Sequence, residues 1–244
     1  MRPAHGPAMP RPGPEPDAVR FQDAAKDARA VVYAGIQADP LVGRLASLAA
    51  DATYGQRLMA RAVMNGESTE PAAWRAIFPT VLGPEAPDRE RAEALLAAGL
   101  EVAGRGEQAR SQFRGAFVEE LTQVLVRRRV GTAAEPAVRR ERRVLFDGVA
   151  AEIHPYDLTV EVAGRAEAWD CKWGARGINA DVLNQLDDAR RHAADEEATL
   201  RVGLVVYDVR TSCAVRLAQQ TAPKQGTVVV TLEALDALAG RKPR

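Results

Sequence analysis

Residues 154–174 read HPYDLTVEVAGRAEAWDCKWG, two runs of alternating character about a small-residue turn. That pattern predicts a β-hairpin, with strands at 157–163 and 166–173 joined at Ala163-Gly164-Arg165. Asp157 opens the first strand, and the second contains Asp170-Cys171-Lys172. Successive side chains on a strand point to opposite faces, so Asp170 and Lys172 share one face and Cys171 takes the other. In a hairpin the start of the first strand lies opposite the end of the second. Asp157 is therefore expected beside Asp170 and Lys172.

Working outward, the predicted helix 107–129 and strand 143–153 precede the hairpin. A helix at about 179–195, a strand at 200–208, a short helix near 211–220 and a strand at 227–232 follow it. LEALDALAG closes the chain as a short helix ended by glycine. This order predicts an α/β domain over 106–244, a mixed sheet with helices on both faces. Upstream, 18–105 reads as a separate N-terminal all-helical domain of four or five helices, broken at Asp39-Pro40, Asn65-Gly66 and Gly83-Pro84. Its expected core includes Trp74, Ile77, Phe78, Val81 and Leu82. Residues 1–17 are proline-rich and read as a disordered tail.

Composition excludes several classes. The 244 residues are 46% hydrophobic, enough for a core, and no run of them approaches a membrane span. Lysine plus arginine, at 33, balances 33 acids, so overall charge does not point to nucleic acid and local charge must be read instead. The two cysteines form no C-x-x-C pair, which fits a reducing cytoplasm without a disulfide framework or zinc site. The N-terminus is not that of a signal peptide. No phosphate-binding G-x-x-x-x-G-K-[ST] loop, H-E-x-x-H or G-x-S-x-G is present, and the three histidines have no ligand spacing.

Two carboxylates and an ammonium at one sheet edge carry a chemical implication. Acids so close repel, and burial raises the cost. A divalent cation relieves it, and an all-oxygen set suits magnesium, with manganese as the alternative. The lysine is redundant for holding a cation. It makes sense acting on an attacking water or a phosphate oxygen, the arrangement of a phosphodiesterase.

Asp157-Leu158-Thr159-Val160-Glu161, a turn, and then Asp170-Cys171-Lys172 thirteen positions after Asp157 resemble the PD-(D/E)xK nuclease superfamily, in its restriction-endonuclease-like branch. The resemblance covers about residues 107–235. The family proline falls at Pro155, two residues ahead of Asp157. Arg114-Gly115-Ala116-Phe117-Val118-Glu119-Glu120 matches the family's G-x-x-apolar-Glu helix. That match favours Glu119 as the helix carboxylate, although the helical wheel alone leaves Glu120 open. The family also often has a glutamine on the helix after the second strand. Gln185 flanks the apolar stripe there, whereas Asn184 points away from it.

The resemblance implies a metal-dependent nuclease with a restriction-endonuclease-like core. Asp157, Asp170, Glu119 and the Cys171 carbonyl would hold Mg2+ or Mn2+. Lys172 would orient or deprotonate the attacking water, and Gln185 would contact phosphate or the strand. DNA is the expected substrate and RNA the alternative. Restriction or anti-phage defence is the expected setting, with the helical domain engaging DNA, a partner protein or a second copy in a homodimer. A rival reading is a nucleic-acid-binding module that keeps the fold without catalysis.

Local charge adds Arg127, Arg128, Arg129, Arg139, Arg140, Arg142 and Arg143, a run suited to a phosphate track or, equally, to a solvated surface. Trp169 and Trp173 could stack on bases, but their alternation with Cys171 favours packing on one sheet face.

Overall fold

The structure is a computed structural model describing residues 19–25, 28–66, 68–131, 137–146, 148–150, 154–162, 165–195, 198–223 and 225–242. The expected tail at 1–17, residues 151–153 of the expected strand 143–153, and turn residues Ala163 and Gly164 lie outside these.

The hairpin organises the α/β fold. Strand β5 (Leu158–Val162) pairs antiparallel with β6 (Arg165–Lys172), Leu158 opposite Trp169. β6 in turn pairs in parallel with β7 (Leu200–Val206), and β7 with β8 (Val228–Val230). The short β2 (Val138–Arg139) borders β5, giving a mixed five-stranded sheet in the order β2-β5-β6-β7-β8. β6 is central and buried from Ala166 to Cys171, because helices cover both its faces.

One face packs on α7 (Glu107–Val130). There Trp169, Cys171, Leu158 and Val205 meet Phe117, Leu121 and Leu125. On the other face Ala168, Val202, Leu204 and Val206 meet Leu183, Leu186 and Ala189 of α8 (Ala180–Asp195). The strand alternation thus assigns Trp169 and Cys171 to the α7 side, and Asp170 and Lys172 to the α8 side. A further helix, α9 (Arg210–Ala218), connects β7 to β8, and a 3-10 helix, Leu232–Ala239, closes the chain.

Among the described residues, six helices precede α7: α1 (Ala28–Gln37), α2 (Pro40–Ala50), α3 (Tyr54–Asn65), α4 (Pro71–Ile77), α5 (Pro79–Leu82) and α6 (Arg89–Ala103). Their caps explain the sequence breaks. Asp39 accepts a hydrogen bond from the Leu41 N–H at 2.9 Å and starts α2. Thr53 and Gln56 form a reciprocal capping box on α3. These helices do not enclose a core of their own. Leu45, Met59, Val63 and Leu95 belong to the same apolar cluster as Phe117, Trp169 and Val205. The boundary expected at 105/106 is therefore a change of sequence pattern within one continuous core. α7 is the shared wall.

Three local expectations are corrected. Arg20–Asp23, expected as helical, is a strand, β1, paired antiparallel with β3 (Arg142–Phe146). Four residues are too few to display a period, and β3 supplies the missing partner. The single strand expected over 143–153 is instead β3 turning back into β4 (Val149–Ala150), with Gly148 at φ 77° between them. The strands β1, β3 and β4 form a second, antiparallel sheet. Ile77, expected in the core, is 61% exposed, because α4 ends there and Phe78 breaks its periodicity. Trp74 and Leu82 are buried as expected. No helix among the described residues is long and apolar enough to cross a membrane.

Candidate active site

The register extends past Leu158–Trp169 to bring Asp157 level with Asp170 at the end of β5. The Asp157 Oδ2 atom accepts the Cys171 backbone N–H at 2.6 Å, capping a donor that β5 is too short to reach. Within a strand the N–H and C=O of one residue point the same way, so the Cys171 carbonyl faces this edge too. Lys172 donates from Nζ to Asp170 Oδ1 at 2.7 Å. Its aliphatic stem lies against Gly177, where an added Cβ would come within 2.8 Å of the Lys172 Cβ, Cγ and Cδ atoms. The turn Ala175–Gly177 after β6 therefore needs a residue without a side chain.

The electrostatics are those of crowded acids with one counterion. Burial, then Asp170 and Glu119, push the Asp157 carboxyl well above the usual carboxylate range, and Lys172 offsets this only in part. Burial alone would lower the Lys172 pKa, but Asp170 and Asp157 outweigh it and raise the pKa above an ordinary lysine's. As held here, Lys172 is a cation.

Glu119 comes from α7 and is 7% exposed. Tyr33 Oη donates to its Oε1 at 2.6 Å and Gln37 Nε2 to its Oε2 at 2.7 Å. Burial raises the Glu119 pKa despite these donors. The structure distinguishes Glu119 from Glu120, which instead pairs with Arg140. Tyr33 and Gln37, both on α1, escaped sequence reasoning. The available signal was Gly115, where a Cβ would approach the Tyr33 hydroxyl to 2.9 Å. The glycine of the G-x-x-apolar-Glu match leaves room for the tyrosine that holds the glutamate.

Among the described residues no three acidic, cysteine or histidine side chains converge as a finished metal cage. Each Glu119 oxygen accepts one hydrogen bond from α1, while Asp157 and Asp170 stand level across the hairpin with the Cys171 carbonyl on the same edge. This donor set fits a hard divalent cation in kind: a buried carboxylate, Asp170, and a half-buried one, Asp157, that repel unless a proton or a cation lies between them.

The other expected residues are placed as follows. Gln185 donates from Nε2 to the His154 carbonyl at 3.2 Å and so braces the loop that delivers Asp157. The Cys171 thiol is buried, bonds Thr122, and has its pKa pushed up by burial, as a core residue's would be. Cys171 and Cys213 are both free. Trp169 is fully buried, while Trp173 stacks on Tyr207 and donates to Asn65. Both pack within the protein, as the alternation favoured.

The arginine run does not form one phosphate track. Arg128 is bidentate on Asp51, Arg129 pairs with Glu167, and Arg140 with Glu120. Arg142 is buried and binds Asp23, Glu161 and the Phe21 carbonyl. These guanidiniums already hold the carboxylates or carbonyls that brace the fold.

No family model matches the chain, and no curated protein matches it in sequence. Among solved structures it is similar to protein VC1899 from Vibrio cholerae at 16% identity, with a TM-score of 0.45, over 91% of this chain and 57% of that one.

Proposed function

We propose that the protein is a divalent-cation-dependent nuclease of the PD-(D/E)xK kind, hydrolysing phosphodiesters in DNA, with RNA the alternative. The observation that carries this reading is the Asp157–Asp170 pair beside Lys172 at one end of the sheet. Asp157 and Asp170 would hold Mg2+ or Mn2+, aided by the Cys171 carbonyl. When bound, the cation would supply Lewis-acid stabilisation of the phosphate oxygens.

Lys172, kept charged by its two acidic neighbours, would orient the water or phosphate and offset negative charge in the transition state. A lysine held as a cation is a poor base, so the orienting half of the expected role is favoured over deprotonation. Glu119, fixed by Tyr33 and Gln37, would add negative field near the cation. Gln185 is a positioning residue that acts through the 154–156 loop.

The test is to incubate the protein with supercoiled plasmid, linear DNA and RNA, in Mg2+ or after metal stripping with EDTA. Cleavage is expected only with metal. Lys172→Ala should reduce it by about 100-fold or more without unfolding the chain, in line with the loss of one preorganised charge donor. A folded Lys172→Ala with near-normal rates, or full activity in EDTA, would overturn the reading.

A further inference from the structure

An open cavity of about 530 Å³ lies between the turn Ala175–Gly177 and α9. Its polar lining is Arg176, Arg216, Thr211, Ser212 and Gln219, with no acidic side chain among the lining residues. The Arg216 guanidinium is oriented by its Nε, which donates to the Ile178 carbonyl at 2.9 Å and leaves the outer nitrogens facing away from that anchor. Arg176 is exposed, and among the described residues no carboxylate forms an ion pair with either arginine. This contrasts with the 127–143 run, where most guanidiniums are spent on acids.

α9 reinforces the charge. It begins at Arg210 without a side-chain cap. Glu233 accepts the Arg210 N–H, and the first intrahelical bond runs from the Cys213 N–H to the Val209 carbonyl. The N–H groups of Thr211 and Ser212 come before that bond, in the first turn of the helix. Two arginines and two hydroxyl side chains thus line one concavity, a recognition set for a phosphate group. Ala175 and Arg176 of its wall belong to the turn whose Gly177 packs on the Lys172 stem, so one short turn joins the cavity wall to the candidate active site.

We infer that this cavity is a subsite for a backbone phosphate of the nucleic-acid strand, next to the one that would be cleaved. The inference rests on the nuclease reading for its substrate but not for its geometry. Val215, 61% exposed on the cavity rim, offers an apolar contact for the neighbouring sugar.

The test measures binding of a fluorescent oligonucleotide across a salt series, without metal, for wild type, Arg176→Gln, Arg176→Gln/Arg216→Gln and Lys172→Ala. Thermal unfolding checks that each is folded, and exposed Arg176 provides the variant least able to disturb the fold. Each arginine removed should lower the salt slope by about one and weaken binding several-fold. In single-turnover cleavage with Mg2+, the arginine variants should need more substrate but reach the wild-type rate at saturation. Unchanged affinity and slope in folded variants would overturn the subsite, even where cleavage occurs. Binding of inorganic phosphate or a mononucleotide that is lost in the variants, with no oligonucleotide binding by wild type, would also overturn it in favour of a free-phosphate site. Weakened oligonucleotide binding in the arginine variants, alongside wild-type protein that cleaves nothing, would support the subsite and refute the nuclease reading.

Discussion

At Asp157 burial and two neighbouring acids act in the same direction, and the pH dependence of the metal-free protein follows. Its folded-state pKa lies above the ordinary 3.8, so Asp157 contributes stability below that pH and loses it as pH rises through the folded value. Asp157→Asn carries no such penalty. Its melting temperature in EDTA should therefore gain on wild type as pH is raised from about 4 to about 8. Parallel melting curves with a constant offset would contradict this. Ligand binding makes the complementary point. A cation must replace the proton on Asp157, so Mg2+ should stabilise wild type more at high pH than at low pH. The Asp157 and Lys172 positions were legible because a hairpin register is arithmetic along the sequence. Tyr33 was not, since it lies 86 residues from Glu119 and no local pattern joins α1 to α7.

At the scale of elements, the turn after β6 decides where Lys172 points. Gly177 touches no substrate in the reading above and titrates nothing. Yet a Cβ there would meet the Lys172 stem at 2.8 Å, and the lysine, not a flexible tip, would have to move. Gly177→Ala is expected to cost about 1–3 kcal/mol of stability through overpacking. It should also lower cleavage by roughly 100-fold through misplacement of the ammonium. Denaturant titration and single-turnover rates measure the two effects. Wild-type cleavage by Gly177→Ala would show that the stem has room to spare. The β3–β4 hairpin belongs to this scale as well. Asp147-Gly148 is a turn signal that the sequence displays. It passes unnoticed when 143–153 is taken as one apolar run, because hydrophobic periodicity does not count turns.

Over the whole molecule, the helices before α7 and the sheet are tied through a buried ion pair. Arg57 on α3 binds Asp236 in the C-terminal 3-10 helix at 2.8 Å, with the two side chains 2% and 1% exposed. Arg57 also caps the end of α2 through the Ala49 carbonyl at 2.9 Å. Removing one partner leaves a charge buried and unmatched, so Asp236→Ala should cost about 3–5 kcal/mol. Because one core spans both halves, wild type should unfold in a single transition. Trp74 reports the helical part and Trp169 the sheet, so fluorescence of single-tryptophan variants should give coincident midpoints with far-UV circular dichroism. Two separated midpoints would restore an independent N-terminal domain.

Short-range periodicity encodes the β5–β6 hairpin, the alternation that sets Asp170 and Lys172 on one face, α7 and α8, and the strands at β7 and β8. The remainder depends on partners distant in the chain, which no local pattern can display. That includes β1, which is a strand because β3 is beside it, and the merging of both halves into one core across α7. It includes the different partners of the two neighbouring glutamates, Tyr33 and Gln37 for Glu119 and Arg140 for Glu120. It includes the split among the arginines, since most of the run finds carboxylates that lie between 19 and 119 positions away while Arg176 and Arg216 line an open cavity with no acidic side chain among its described lining. Charge is written in the sequence, but whether it is spent inside the fold or left for a ligand is settled by which acids the fold brings near it.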